Sequence, residues 1–157
     1  MARPGDIALR FANDDDLVSF ESNLDDGKGN GVWPRVDRNG NALRSWESHH
    51  QKAMNHLSRA LRSRKGTGEP LELGRLDQRS KDRLREPAAC LALHYLFMAA
   101  DNTDGEGYCA KRAAYYLESA QGMIDTEAMS LDYDFNNDGV VDGSEINRPM
   151  PMRFVRG

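Results

Sequence analysis

Asp134-Phe135-Asn136-Asn137-Asp138-Gly139-Val140-Val141-Asp142-Gly143-Ser144-Glu145 carries oxygen donors at the spacing of a calcium-binding loop. A hard cation takes roughly six to eight oxygen ligands, delivered from alternate loop positions. Here Asp134, Asn136 and Asp138 would supply side-chain oxygens, Val140 its carbonyl, Asp142 a direct or water-mediated contact and Glu145 two oxygens, while Gly139 permits the sharp turn. Val141 adds the apolar position that docks such loops. Ca2+ is therefore the cofactor the sequence suggests, with Asp134, Asn136, Asp138, Val140, Asp142 and Glu145 as ligands. The same Asp, Asn and Gly residues can also order a turn without metal, by bonding side chains to nearby backbone. Asn147-Arg148-Pro149 follows almost at once and leaves little room for the exit helix of a calcium-sensing pair. A cation here would stiffen a tail rather than sense a signal.

No other constellation specifies chemistry. His49, His50, His56 and His94 fall in no His-Glu-x-x-His arrangement; His50 and His94 read as helix-face residues, and His49 and His56 as members of a polar helix side. The serines lack a nucleophile elbow, and Cys90 and Cys109 lack both a Cys-x-x-Cys spacing and a sequence-specified base, so they read as small buried thiols. Gly27, Gly29 and Gly31 imitate a phosphate cradle, but no apolar strand precedes them and no helix pattern follows, which points to a flexible loop. No catalytic residue and no organic cofactor site is expected, and the chain reads as a non-enzyme.

The elements that must position the loop follow from apolar periodicity. From Leu43 to Lys65, Leu43, Trp46, His50, Ala53, Met54, Leu57, Ala60 and Leu61 mark one face of an amphipathic helix. Leu71, Leu73 and Leu76 lie in a linker that leads to a new start at Asp77 or Ser80. The most apolar stretch, Ser80 to Ala100, carries a stripe of Leu84, Ala88, Leu91, Tyr95 and Met98, with Pro87 marking either a kink or the true first turn. A short turn at 102–107 makes its neighbour antiparallel, and Cys109, Ala113, Tyr116, Leu117, Ala120 and Ile124 stripe a third helix over Tyr108 to Met129. Aromatics on both long helices, among them Tyr108, Tyr115 and Tyr95, exceed what one core can absorb, which leaves some for an interface.

The expected fold is thus all-α: a small antiparallel helical bundle over 43–131, a loop-rich N-terminal segment over 1–42, and the calcium-type loop with an extended C-terminal arm over 132–157. A length of 157 residues suits one core. The net charge of −4 argues against a free-standing nucleic-acid binder. Its distribution is uneven, with nine basic and five acidic residues between Arg59 and Glu86 and a balance of −8 elsewhere. No apolar run reaches membrane-spanning length and no signal-peptide core follows Met1, so synthesis in a cytoplasm is expected.

One order of features has a family likeness. Trp46-Glu47-Ser48-His49-His50-Gln51-Lys52-Ala53 opens a helix, Ala88 to Ala100 with Leu96-Phe97 forms an apolar one, Ala113-Ala114-Tyr115-Tyr116 a third, and Leu131 through Glu145 leads to Arg153-Phe154-Val155-Arg156. From about Trp46 onward this resembles the head-to-tail adaptor proteins of tailed bacteriophages; the first forty residues depart from that pattern. The resemblance implies a virion structural protein of the neck, repeated in a ring of about twelve copies under the portal, extending the DNA channel and supporting attachment of a tail, stopper or terminator protein. It implies that Arg153, Phe154, Val155 and Arg156 form the portal-contact arm, by adding a strand or filling a groove. DNA would pass through without sequence-specific binding, and no membrane is involved. The alternative is a calcium-binding, EF-hand-like interaction module.

Overall fold

The computed structural model describes residues 9–29, 31–43, 45–65, 71–100 and 107–146, without the side chains of 63–65 and 129. Among these residues the fold is all-α, with five α-helices: α1 Asp14–Phe20, α2 Glu47–Lys65, α3 Gln78–Arg83, α4 Arg85–Ala100 and α5 Tyr108–Glu127. Single 3-10 turns at Leu73–Arg75 and Ala128–Ser130 flank α3 and end α5. None of the described helices is long and apolar enough to cross a membrane.

The core is built around α4, which packs chiefly against α5 and α2. Ten of its residues are buried, from Pro87 to His94 and then Leu96 and Phe97, so it lacks the polar face that a surface helix keeps. Leu57 and Leu61 of α2 and Ala120 and Ile124 of α5 close on it from their own helices. Polar ties fix the pairing: His94 Nδ1 donates to the Ala113 carbonyl at 2.8 Å, and His56 of α2 meets the Tyr95 hydroxyl at 2.9 Å. Burial, with the Glu86 charge adding, pushes the Cys90 thiol up to about 11, which keeps it protonated and unreactive at neutral pH. Cys109 is half-buried.

Pro87 sits in the first turn of α4, where its missing N–H costs no helical hydrogen bond. The single helix expected over Ser80 to Ala100 is in fact two. Asp77 caps α3 by accepting from the Ser80 amide at 2.8 Å, and the chain breaks at Leu84, whose φ of −85° and ψ of 0° end the first helix before Arg85 begins the second. The linker expected through Leu71, Leu73 and Leu76 is core instead, all three side chains being buried. α2 begins four residues later than expected. Trp46, 1% exposed, precedes it and offers its carbonyl to the amides of His49 and His50, whereas Leu43 lies outside the helix and is exposed. Met98, expected in the buried stripe of α4, is 55% exposed.

The N-terminal segment packs into the same core. Asn13 and Asp16 cap α1 reciprocally, side chain to amide at 2.9 and 2.8 Å, and Leu17 and Leu24 are fully buried. Asp16 also takes both nitrogens of Arg85 at 2.7 and 3.0 Å, which ties α1 to the start of α4. His50 lies 2.8 Å from Asp14 and holds that carboxyl below its usual range, against the opposing effect of burial and with help from Arg35. The glycine-rich loop was expected to be flexible; among its described residues Asp26, Gly27 and Lys28 are exposed, while Gly29 and Gly31 lie close against neighbouring backbone. Val32 and Trp33 donate to the carbonyls of Asn23 and Leu24 at 2.9 and 3.0 Å, and Arg35 reaches Asp25 at 2.7 Å.

Gly31 shows why glycine is required there. Its φ is +117°, and a Cβ would stand 2.4 Å from the Leu24 carbonyl oxygen, a backbone atom that cannot swing aside. Gly31→Ala should therefore lower stability by about 2 kcal/mol, read as a fall in the denaturant midpoint. Gly40→Ala is its control, since φ is +82° there but the space around it is open; a loss no larger than that of the control would mean the close approach at Gly31 is relieved by loop movement.

Candidate functional site

The segment after α5 is anchored before it forms its loop. Leu131 and Tyr133 are buried, and Tyr133 pairs with Leu76 in an isolated antiparallel bridge. The Asp134 amide donates to the Arg75 carbonyl at 3.0 Å, and the Arg75 guanidinium returns two bonds of 2.9 Å to the carbonyls of Asp134 and Phe135 while lying over the Tyr133 ring. Ser80, 1% exposed, accepts from the Asp132 amide at 2.9 Å. The loop therefore starts from a rigid base.

Its backbone follows the calcium-loop register. Left-handed residues fall at Asn137, with φ of 60°, and at Gly139, with φ of 90°. The first and last of the expected ligands turn inward: Asp134 is 4% exposed and Glu145 is 3% exposed. Asp134 accepts from the amides of Asn137 at 2.6 Å, Asp138 at 3.3 Å and Gly139 at 2.9 Å. Glu145 accepts from the amides of Phe135 at 2.7 Å, Asn136 at 3.1 Å and Asp142 at 3.2 Å. Two buried carboxylates thus gather six backbone N–H groups, which compensates each charge for leaving water.

The other expected ligands point elsewhere. Asn136 and Asp138 accept from the amides two residues ahead, both at 2.9 Å, and the exposed Asp142 accepts from the Ser144 amide and hydroxyl at 2.7 and 2.6 Å. Those two bonds hold the Asp142 carboxyl below its usual range. Val140, the expected carbonyl donor, has an exposed side chain, and Val141 is half-buried. Among the described residues no three His, Cys, Asp or Glu side chains converge to hold a metal. The donor types and backbone register fit a hard cation; a closed ligand shell is not formed, because the loop's carboxylates bond its own amides.

No family model, no curated protein and no solved structure matches this chain.

A second surface stands apart from the loop. Tyr108 and Tyr115 of α5 are 54% and 56% exposed, and Met98 of α4 is exposed to the same degree. Arg112 lies between the two tyrosines in sequence, its guanidinium 5.4 Å from the Tyr115 ring and 5.3 Å from that of Tyr116. Tyrosine, methionine and arginine are the residues enriched where proteins meet. Beneath this surface Arg112 pairs with the buried Glu21, and the Tyr116 hydroxyl donates to the same carboxylate at 2.8 Å. Burial pushes the Tyr116 hydroxyl up to about 12, so it stays a donor.

The histidines divide differently from expectation. His50 and His94 are buried, as helix-face residues should be, but His49, expected on the polar side, is also buried and meets the Trp33 ring edge-on at 5.9 Å. Burial lowers its pKa, with the Lys52 and His50 charges acting the same way. The arm residues Arg153, Phe154, Val155 and Arg156 lie outside the described residues. Arg75, Ser80 and the Glu21–Arg112–Tyr116 group were not singled out from sequence; their partners lie 52 to 95 positions away, except for the helical step from Arg112 to Tyr116, and no local spacing signals such pairings.

Proposed function

We propose that this protein is a structural subunit of a tailed-phage neck, a head-to-tail adaptor that docks under the portal as a ring of about twelve copies and supports tail attachment. The observation that carries the reading is the exposed Tyr108 and Tyr115, which with Arg112 between them in sequence share one side of α5 and give it an aromatic face carrying a guanidinium. A subunit-to-subunit contact is the natural use of such a face, because large rigid rings bury area at small entropic cost. In a ring the same modest contact repeats around the axis and adds up. The order of helices, acidic loop and basic-apolar terminal residues supports the same reading, as does a net negative chain that would let DNA pass without adhering.

Tyr115→Ser tests the contact. The side chain is 56% exposed, so the variant should keep wild-type helicity and lie within about 1 kcal/mol of wild-type stability, yet lose assembly onto the portal ring of the same phage, measured by sedimentation of mixed samples. Wild-type assembly by Tyr115→Ser and Tyr108→Ser alike would exclude this face as the contact.

The loop favours a second reading, an EF-hand-like calcium module, because left-handed residues stand at Asn137 and Gly139 in register with burial of Asp134 and Glu145. Binding would require Asp138 and Asp142 to give up their amide partners and turn inward. Calcium should then raise the melting temperature in proportion to its saturation, and magnesium should not match it. Glu145→Ala should cost about 2 kcal/mol without calcium, through three amides left without an acceptor, and should also abolish any calcium increment. An unchanged melting temperature across millimolar calcium, with the Glu145→Ala loss intact, would leave a loop closed purely by its own amides.

A further inference from the structure

The outward side of α2 carries Lys52, Asn55, His56 and Arg59 at three- and four-residue spacing, so these side chains share one face of the helix. Tyr95 of α4 stands beside them, and with Ala60 they line a hollow of about 580 Å3. Among the described residues its charged chemistry has one sign: an ammonium and a guanidinium beside an imidazole, a carboxamide and a phenol, with no described carboxylate in the lining. Lys52 and Arg59 alone would be an ordinary solvated helix face. The half-buried His56 between them, anchored at 2.9 Å on the Tyr95 hydroxyl, makes the arrangement a concave set of donors.

Burial pushes the Tyr95 hydroxyl upward in pKa, so it keeps its proton, and in the tautomer with Nδ1 unprotonated it donates to His56. The neutral ring then carries its own proton on Nε2, which remains available as a donor. Together with Lys52, Arg59 and the Asn55 amide, the imidazole can donate to an anion, while Tyr95 holds the ring in place.

We infer that the hollow formed by Lys52, Asn55, His56, Arg59 and Tyr95 is an oxyanion site that takes a phosphate group. Two fixed cations, and an imidazole that gains charge when an anion arrives, match a doubly charged oxyanion better than a single carboxylate. The phosphate could belong to a small monoester or to a nucleic-acid backbone, and the chemistry of recognition is the same for both. His56 faces Lys52 and Arg59 on its own helix and His94 and Tyr95 on α4, and burial, His94 and Arg59 together lower its pKa. A bound anion opposes all three effects. Binding of the dianion therefore takes up a proton at His56 and tightens as pH falls toward the phosphate's own second pKa of about 6, below which the doubly charged form is lost.

The test is an NMR titration of the imidazole resonances in the full chain with inorganic phosphate, at constant ionic strength set with chloride. The His56 titration midpoint should rise by about one pH unit at saturating phosphate, while that of His49, buried against Trp33, should stay in place. Lys52→Gln and Arg59→Gln, both exposed positions, should each weaken phosphate binding about tenfold with unchanged far-UV circular dichroism. Parallel titrations with a nucleoside monophosphate and with short duplex DNA distinguish the sources: the tighter of the two names the donor of the phosphate, and either outcome supports the site. An immobile His56 resonance, an equal response to acetate, or undiminished binding by both folded glutamine variants would overturn it.

Discussion

Arg112→Met should destabilise the protein by about 3 kcal/mol, the largest loss expected from any single side chain outside the apolar core. Glu21 is buried, and its carboxylate rests on the Arg112 guanidinium and the Tyr116 hydroxyl. Removing the arginine leaves that charge with one neutral donor in a site water does not reach. Breaking a buried pair from one side costs roughly 3–5 kcal/mol, and the lower end applies because the Arg112 side chain is one-third exposed, at 33%. The double variant Glu21→Gln with Arg112→Met should recover part of the loss, since no charge is then stranded, so the two substitutions should be strongly non-additive in urea melts. A single-variant loss below about 1 kcal/mol would mean that Glu21 reaches solvent by local movement. The consequence reaches beyond stability: the same guanidinium lies over the Tyr115 ring, so its loss should also disturb the proposed contact face.

Removing residues 147–157 should abolish the proposed portal docking while leaving the helical core intact. The deleted segment contains Arg153, Phe154, Val155 and Arg156, and the Asp134 to Glu145 loop that precedes it is held by bonds from Arg75, Asp134 and Glu145 among the described residues. Far-UV circular dichroism and the urea midpoint should therefore match those of the full chain, whereas affinity for the portal ring should fall roughly a hundredfold or more, because each copy in a ring contributes one such arm and the contributions multiply. Undiminished docking by the truncated chain would move the portal contact to the helical faces.

What the sequence made legible follows from the range of each signal. The three long helices were readable because their apolar residues recur at helical spacing and because Pro87 marks either a kink or a first turn, of which the structure shows the first turn. The backbone of the 134–145 loop was readable for a similar reason: Gly139 and Asn137 tolerate the left-handed region, and Asp134 is placed to collect amides three to five residues ahead. The break at Leu84 was half-readable: Pro87 cannot bond the Arg83 carbonyl and so announces a kink or a new first turn, but the tie of Arg85 to Asp16, 69 positions away, has no local signal. Exposure of Met98 and burial of His49 depend likewise on which helix face meets a neighbour; His49 is buried by Trp33, which lies in a loop with no periodicity to announce it. The glycine-rich loop suggested flexibility by composition, yet Gly31 is there because the chain passes too close to Leu24 for any side chain. Convergence of the loop's carboxylates was the least accessible feature, because spacing fixes which residues can turn inward but not whether they choose a cation or an amide.

The most direct measurement is cryo-electron microscopy of the full chain mixed with the portal ring encoded by the same phage genome. A head-to-tail adaptor should appear as a single ring of about twelve copies on one end of the portal, with Tyr115 at the contact between neighbouring copies and the 153–156 segment against the portal. Portal rings without added density, at concentrations where the chain is folded and in excess, would contradict the assignment.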